Sequence, residues 1–123
     1  ALTTVARRDT GEKQQIPLSR VAVGIGQMLS SVQASLFDSA RDEQERRTLR
    51  DPSGYGDMIE YLREAAGLVE AGWCGRSECE VRVKEDSSAT IRCLPLREQP
   101  THSGACVCCG RPAVADTVWA QAY

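Results

Sequence analysis

Trp73–Cys74–Gly75–Arg76–Ser77–Glu78–Cys79–Glu80 is answered further along the chain by Cys106–Val107–Cys108–Cys109–Gly110. The first segment holds a Cys-x4-Cys pair and the second a Cys-x2-Cys pair. Short-range thiol pairs on two separate loops are how a chain assembles a four-thiolate tetrahedral zinc site. Gly110 supplies the free φ that a tight metal-binding turn needs. Neither pair has a hydrophobic reason of its own to meet the other, and a shared metal gives one. Cys74, Cys79, Cys106 and Cys109 are therefore the candidate ligands. Cys106 paired with Cys108 is the alternative, but a one-residue gap makes a poor chelate turn. Cys108 otherwise reads as a bystander or as an oxidation-sensitive thiol beside the metal. Cys93, between Ile91 and Leu94, reads as a buried apolar filler.

The six cysteines also fit a disulfide framework in a secreted domain. No basic-then-apolar leader and no apolar run of membrane-spanning length accompany them, which favours metal. The sequence starts without Met and its first residues already read as a strand, so residues 1–123 are expected to be a piece of something longer. A chain of 123 residues suffices for one ordinary domain or two very small ones, and 41% hydrophobic residues favour a packed core over disorder. The net charge of −2 argues neither for nor against nucleic acid. Its distribution says more: Arg7, Arg8, Lys13 and Arg20 outnumber Asp9 and Glu12 in residues 1–20, leaving the remainder net acidic.

Upstream of the first cysteine pair, residues 1–8 read as a strand ending near Arg8, followed by the polar turn Arg8–Lys13. Beyond a strand end in an α/β layer, Arg7, Arg8 and Lys13 are placed to contact phosphates or guanine edges. The bland reading is a solvated turn with a local Arg–Asp pair. Pro17–Leu18–Ser19 reads as a helix entry with Ser19 as N-cap. Val21, Ile25, Met28, Val32, Leu36 and Ala40 then predict an amphipathic helix with one buried face, carried to Arg50 by a solvated charged tail. Gly24 and Gly26 either weaken it by roughly 1 kcal/mol each or admit a close backbone approach. Asp51–Pro52–Ser53–Gly54 ends it. Tyr55–Ala66 predicts a second helix with Gly67 at C′.

Leu68–Trp73 predicts a strand feeding the first cysteine pair. Ser77–Glu85 predicts a helix with Val81 inward and a Ser77/Glu80 capping box. Thr90–Leu96 reads as a strand, 97–105 as a polar loop with His102 exposed, and Val114–Ala122 as a last strand anchored by Val118 and Trp119.

Four thiolates make a closed site, whereas a catalytic zinc keeps one position open. His102 is the single histidine, so no two-histidine catalytic pair can form within the chain. No phosphate cradle, nucleophile elbow or paired-carboxylate constellation is visible. The residues by themselves describe a zinc-stabilised binding module attached to a small α/β layer.

Val5-Ala6-Arg7-Arg8-Asp9-Thr10-Gly11-Glu12-Lys13, the Trp73–Glu80 segment, Ala89-Thr90-Ile91-Arg92-Cys93-Leu94-Pro95, Cys106 to Ala113 and the terminal Ala120-Gln121-Ala122-Tyr123 occur in an order that resembles the C-terminal region of archaeal/eukaryotic-like prolyl-tRNA synthetases. The resemblance runs from end to end. It implies an α+β chain: residues 1–50 as the end of an α/β anticodon-binding domain with a long helix, and 51–123 as a small α+β zinc-binding domain. It implies that Cys74, Cys79, Cys106 and Cys109 hold a structural zinc. It also implies that Arg7, Arg8 and Lys13 lie against the anticodon of tRNA(Pro), and that Tyr123 meets the catalytic domain. The parent is then a cytoplasmic, homodimeric class II proline–tRNA ligase without membrane attachment. Its ATP, magnesium and proline sites lie in a catalytic domain outside these residues, so this segment alone is not catalytic. The competing reading is a free-standing zinc-stabilised protein-interaction module with no RNA role.

Overall fold

The computed structural model describes residues 1–64, 66–97 and 104–122. The elements run β1 (Leu2–Ala6), β2 (Lys13–Pro17), a 3-10 turn (Leu18–Arg20), α1 (Val21–Arg46), β3 (Thr48–Arg50), α2 (Tyr55–Glu64), β4 (Leu68–Trp73), α3 (Ser77–Ser87), β5 (Ala89–Cys93) and β6 (Ala115–Gln121). The chain is thus α+β, with a long helix followed by a small sheet unit. It divides into two compact units, Ala1–Glu43 and Gln44–Tyr123.

In the first unit β1 and β2 form an antiparallel hairpin with Leu2 opposite Pro17 and Ala6 opposite Lys13. The turn closes through Arg7 N–H to the Glu12 carbonyl (2.8 Å) and Gly11 N–H to the Arg7 carbonyl (2.9 Å). Gly11 sits at φ +75, where a side chain would be strained. Sequence reading missed β2, because Lys-Gln-Gln-Ile-Pro has little strand character until β1 pairs with it. Ser19 lies inside the 3-10 turn rather than capping from outside it. Ile16, 8% exposed, packs over Gly24, where an added Cβ would stand 3.1 Å from Ile16 Cδ1. The close approach expected of a backbone is made at Gly24 by the Ile16 side chain instead, and Gly26 has nothing within 4 Å.

The expected buried face of α1 does not form, since the helix buries no residue. Val21, Met28 and Val32 are half-buried, while Ile25, Leu29, Leu36 and Phe37 are exposed. Nor does the helix run to Arg50. Thr48 turns its hydroxyl back to the Gln44 carbonyl (2.6 Å), and Thr48–Arg50 becomes a strand paired in parallel with Leu68–Glu70. Pairing to β4 overrides helical continuation there.

The second unit is built on a sheet of order β3-β4-β6-β5, with β6 antiparallel to both neighbours. Val69, Ala71 and Trp119 on one face meet Met58, Ile59 and Leu62 of α2, Val83 of α3 and Ala89 in a single core. Each large side chain buried there contributes about 1.5–3 kcal/mol. Trp119 is 1% exposed, and its Nε1–H finds no acceptor among the described residues. On the opposite face the buried Glu70 is ion-paired with Arg50 (3.4 Å) and with Arg97.

Several side chains depart from expectation. The left-handed residue after α2 is Ala66 (φ 43), not Gly67. Gly67 is needed for space, because a Cβ there would stand 2.5 Å from the Arg47 carbonyl oxygen. Arg76 occupies the α3 N-cap with no side-chain cap bond, so the Ser77/Glu80 box is absent. Cys79, Val83 and Ser87 form the inward row of α3, and Val81 is exposed. Cys93 is exposed at the end of β5, not buried. Val118 is half-buried while Trp119 is buried, as alternation along β6 requires. His102 and Tyr123 lie outside the described residues.

Candidate metal centre and basic turn

Strand β4 delivers Trp73 to the mouth of the first cysteine pair, and α3 begins just beyond it. Cys74 therefore lies just past the end of a strand, while Cys79 sits in the first turn of a helix with its side chain inward. Gly75 reverses the backbone between them at φ +78. The second pair lies on a tight turn bracketed by the bridge Ala105↔Pro112 and closed by Cys106 N–H to the Arg111 carbonyl (2.7 Å) and Gly110 N–H to the Cys106 carbonyl (2.8 Å). Gly110 takes φ +72, the left-handed conformation expected of it.

Backbone bonds hold the two turns together. Val107 N–H donates to the Gly72 carbonyl (3.0 Å) and Val114 N–H to the Trp73 carbonyl (2.8 Å). Gly72 permits this approach, because a Cβ there would lie 2.7 Å from the Ala105 carbonyl oxygen. Sequence reasoning missed Gly72, although a glycine two residues ahead of a candidate ligand is a signal of close approach.

The four sulfurs of Cys74, Cys79, Cys106 and Cys109 lie within 4.8 Å of one another. Cys74 and Cys79 are 3.6 Å apart and Cys109 and Cys74 3.7 Å. A tetrahedral ion with Zn–S bonds of about 2.3 Å sets the sulfur–sulfur edge near 3.8 Å. A disulfide needs about 2.05 Å, and all six cysteines are free. Cys109, not Cys108, completes the cluster with Cys106.

The electrostatics divide the cluster, favouring the thiolate at Cys109 and opposing it at the buried Cys106 and Cys79. The Arg111 N–H is the main cause that brings the exposed Cys109 thiol down to about 7. Burial pushes Cys106 up, opposed by the N–H groups of Cys109, Cys108 and Cys74 directed at its sulfur. Burial also pushes Cys79 up, helped by the thiols of Cys109, Cys74 and Cys108. A divalent ion would neutralise the charge that burial disfavours, so the donor set fits a metal.

The other candidate residues gather at the hairpin turn of the first unit. Arg8 and Lys13 are exposed, and their side chains find no partner among the described residues. Arg7 is engaged differently. Its Nε and Nη2 donate to the two Asp9 oxygens (3.1 and 2.7 Å), and its Nη1 donates to Ser31 Oγ on α1 (2.8 Å). The local Arg–Asp pair of the bland reading is thus present at Arg7, and Ser31 is a partner the sequence did not suggest.

A family model described as prolyl-tRNA synthetase, C-terminal, matches residues 55–123. A proline–tRNA ligase of Oceanobacillus iheyensis is 36% identical over 97% of this chain and 24% of the relative's length. Proline–tRNA ligase 2 of Clostridioides difficile is 39% identical over the same shares of the two chains, 97% and 24%. The chain therefore spans about a quarter of the length of these relatives. The prolyl-tRNA synthetase of Cryptosporidium parvum, solved with halofuginone and AMPPNP, shares the fold at a TM-score of 0.85 and 23% identity, covering 99% of this chain and 26% of that one. The two curated relatives are bacterial and lend no support to the archaeal/eukaryotic-like type.

Proposed function

The chain belongs to the prolyl-tRNA synthetase C-terminal family, and from that premise we propose that it serves as the C-terminal portion of a proline–tRNA ligase. In this reading the second unit is a zinc-binding domain and the first the end of an anticodon-binding domain. Zinc is the proposed ion because four thiolates are a soft, closed set that leaves no position for water or substrate. When bound, the ion supplies structure and no chemistry. Cys74, Cys79, Cys106 and Cys109 pin the end of β4, the start of α3 and the Ala105–Pro112 turn to one point.

Arg8 and Lys13 supply the RNA-facing charge of the first unit, with Arg7 behind them. Their proposed partner is the anticodon stem-loop of tRNA(Pro), whose phosphates and guanine edges offer acceptors suited to Arg and Lys. Aminoacylation, with ATP and magnesium, belongs to a catalytic domain of the longer homodimeric protein. The archaeal/eukaryotic-like type remains part of the proposal on the strength of the motif order alone.

The observation that carries this reading is likeness across both units: the ligases match 97% of the chain, hairpin and long helix included. A free-standing zinc module would not call for the first unit. The test uses the full-length ligase. Arg8→Ala and Lys13→Ala should each weaken binding of a tRNA with a proline anticodon, while binding of a tRNA with another anticodon stays weak throughout. Equal affinity for both RNAs, unmoved by either change, would remove the anticodon role.

A further inference from the structure

Three cations share one turn, yet they are not equivalent. Arg7 commits Nε and both terminal nitrogens to Asp9 and Ser31, and its side chain and that of Asp9 are only 16% and 10% exposed. Arg8 and Lys13 are exposed and form no side-chain ion pair among the described residues. Arg7 also takes part in the turn through its backbone, as donor to Glu12 and acceptor from Gly11. Its guanidinium therefore ties one end of the turn to a side chain on α1.

We propose that Arg7 is a positioning residue: the Asp9–Arg7–Ser31 clamp seats the turn on α1 and aims Arg8 and Lys13 at the nucleic acid, while Arg7 itself touches none. The proposal rests on the RNA reading above and deepens it. Two physical points favour the clamp. A planar fork can grip both oxygens of a carboxylate and still donate a third bond to a hydroxyl in one fixed geometry, which the single nitrogen of an ammonium does not reproduce. Breaking Arg7 away to meet a phosphate would also forfeit a bidentate charge-assisted pair. A loose turn would make RNA binding carry the entropy of ordering it, whereas a clamped turn is ordered beforehand.

Counterion release separates a contact from a support. Each phosphate neutralised on a single strand adds about 0.7 to the slope of log affinity against log salt. In the full-length ligase, with tRNA(Pro) as probe, Arg8→Ala and Lys13→Ala should each flatten that slope by about 0.7. Arg7→Ala should weaken binding about tenfold and Ser31→Ala about threefold, both with the slope unchanged. Arg7→Lys, which keeps the charge, should lose as much affinity as Arg7→Ala. Without RNA, amide exchange across Arg8–Glu12 should quicken in the Arg7 and Ser31 variants and not in Arg8→Ala. A flattened slope in Arg7→Ala that Arg7→Lys restores makes Arg7 a direct contact and overturns the clamp. If Arg8→Ala and Lys13→Ala leave affinity and slope untouched, the RNA reading fails first and the positioning role falls with it.

Discussion

Helix α2, with 10 residues, buries Met58, Ile59 and Leu62, whereas α1, with 26, buries none of its residues. Both carry apolar stripes at helical spacing. In the second unit the stripe has a sheet to cover it, and Val69, Ala71 and Trp119 stand ready on the facing strands. In the first unit a two-stranded hairpin covers one strip of α1 and leaves Ile25, Leu29, Leu36 and Phe37 in solvent. Periodicity reports that a face is apolar. It does not report whether the residues at hand can bury it. The first unit, with Ile16 as its one buried hydrophobic residue among those described, depends on hairpin bonds and polar ties, while the second has a core and a cluster of sulfurs.

The largest expected effect breaks the second unit alone. Structural zinc contributes on the order of 10 kcal/mol to small zinc modules. Chelation, or Cys74→Ala with Cys106→Ala, should therefore melt the cysteine turns and loosen the β4–β6 sheet, leaving the α1 helical signal in place. Elemental analysis should find close to one zinc per untreated chain. A chain free of zinc, with its sulfurs bridged as disulfides in mass spectra, would replace the metal centre by a covalent crosslink.

Next come side chains of matched chemistry in unequal surroundings. Leu62→Ala removes a leucine that is 1% exposed and should cost about 2–5 kcal/mol. Leu29→Ala removes one that is 63% exposed and should move stability by about 0.5 kcal/mol or less. Denaturant titration of the two variants checks the contrast. Similar losses would mean that α1 is covered in solution, and the difference between the units would vanish.

The sequence made the second unit more legible than the first for the same reason. Cysteine spacing, the α2 stripe and the strand before Trp73 are local signals that agree with their surroundings. What stayed hidden was set by distant partners. Thr48–Arg50 is a strand because Leu68–Glu70 lies beside it, and Lys13–Pro17 because β1 does. Gly67 resembles a helix stop but serves as room for the Arg47 carbonyl. Cys93 looked buried between two apolar neighbours, yet it ends β5 past the irregularity between Ile91 and Cys93, where it is exposed. At the cysteine cluster the four sulfurs were readable from spacing, but the approach at Gly72 that lets the two turns meet was not. At the basic turn the charge was readable, and its division into a clamp and two free cations was not.

The smallest effect sharpens the comparison through acid. The Arg7 guanidinium, hydrogen-bonded to Asp9, holds that carboxyl below the ordinary carboxylate value, which is near 4. A carboxyl whose folded pKa is depressed stabilises the fold fully above its unfolded value, and that contribution is lost as pH falls through the folded one. At neutral pH the clamp is intact. Below about pH 4 it weakens progressively, and it is gone once Asp9 is protonated in the folded chain. The pair is in contact with water, so salt also erodes it. Resonances of the hairpin turn should therefore shift together with a midpoint below 4, and Asp9→Asn should abolish that step without moving the resonances of α2 or β6. A midpoint at the ordinary aspartate value would mean that Arg7 and Asp9 are not held together in solution, leaving the Arg7–Ser31 bond to tie the turn to its helix unaided.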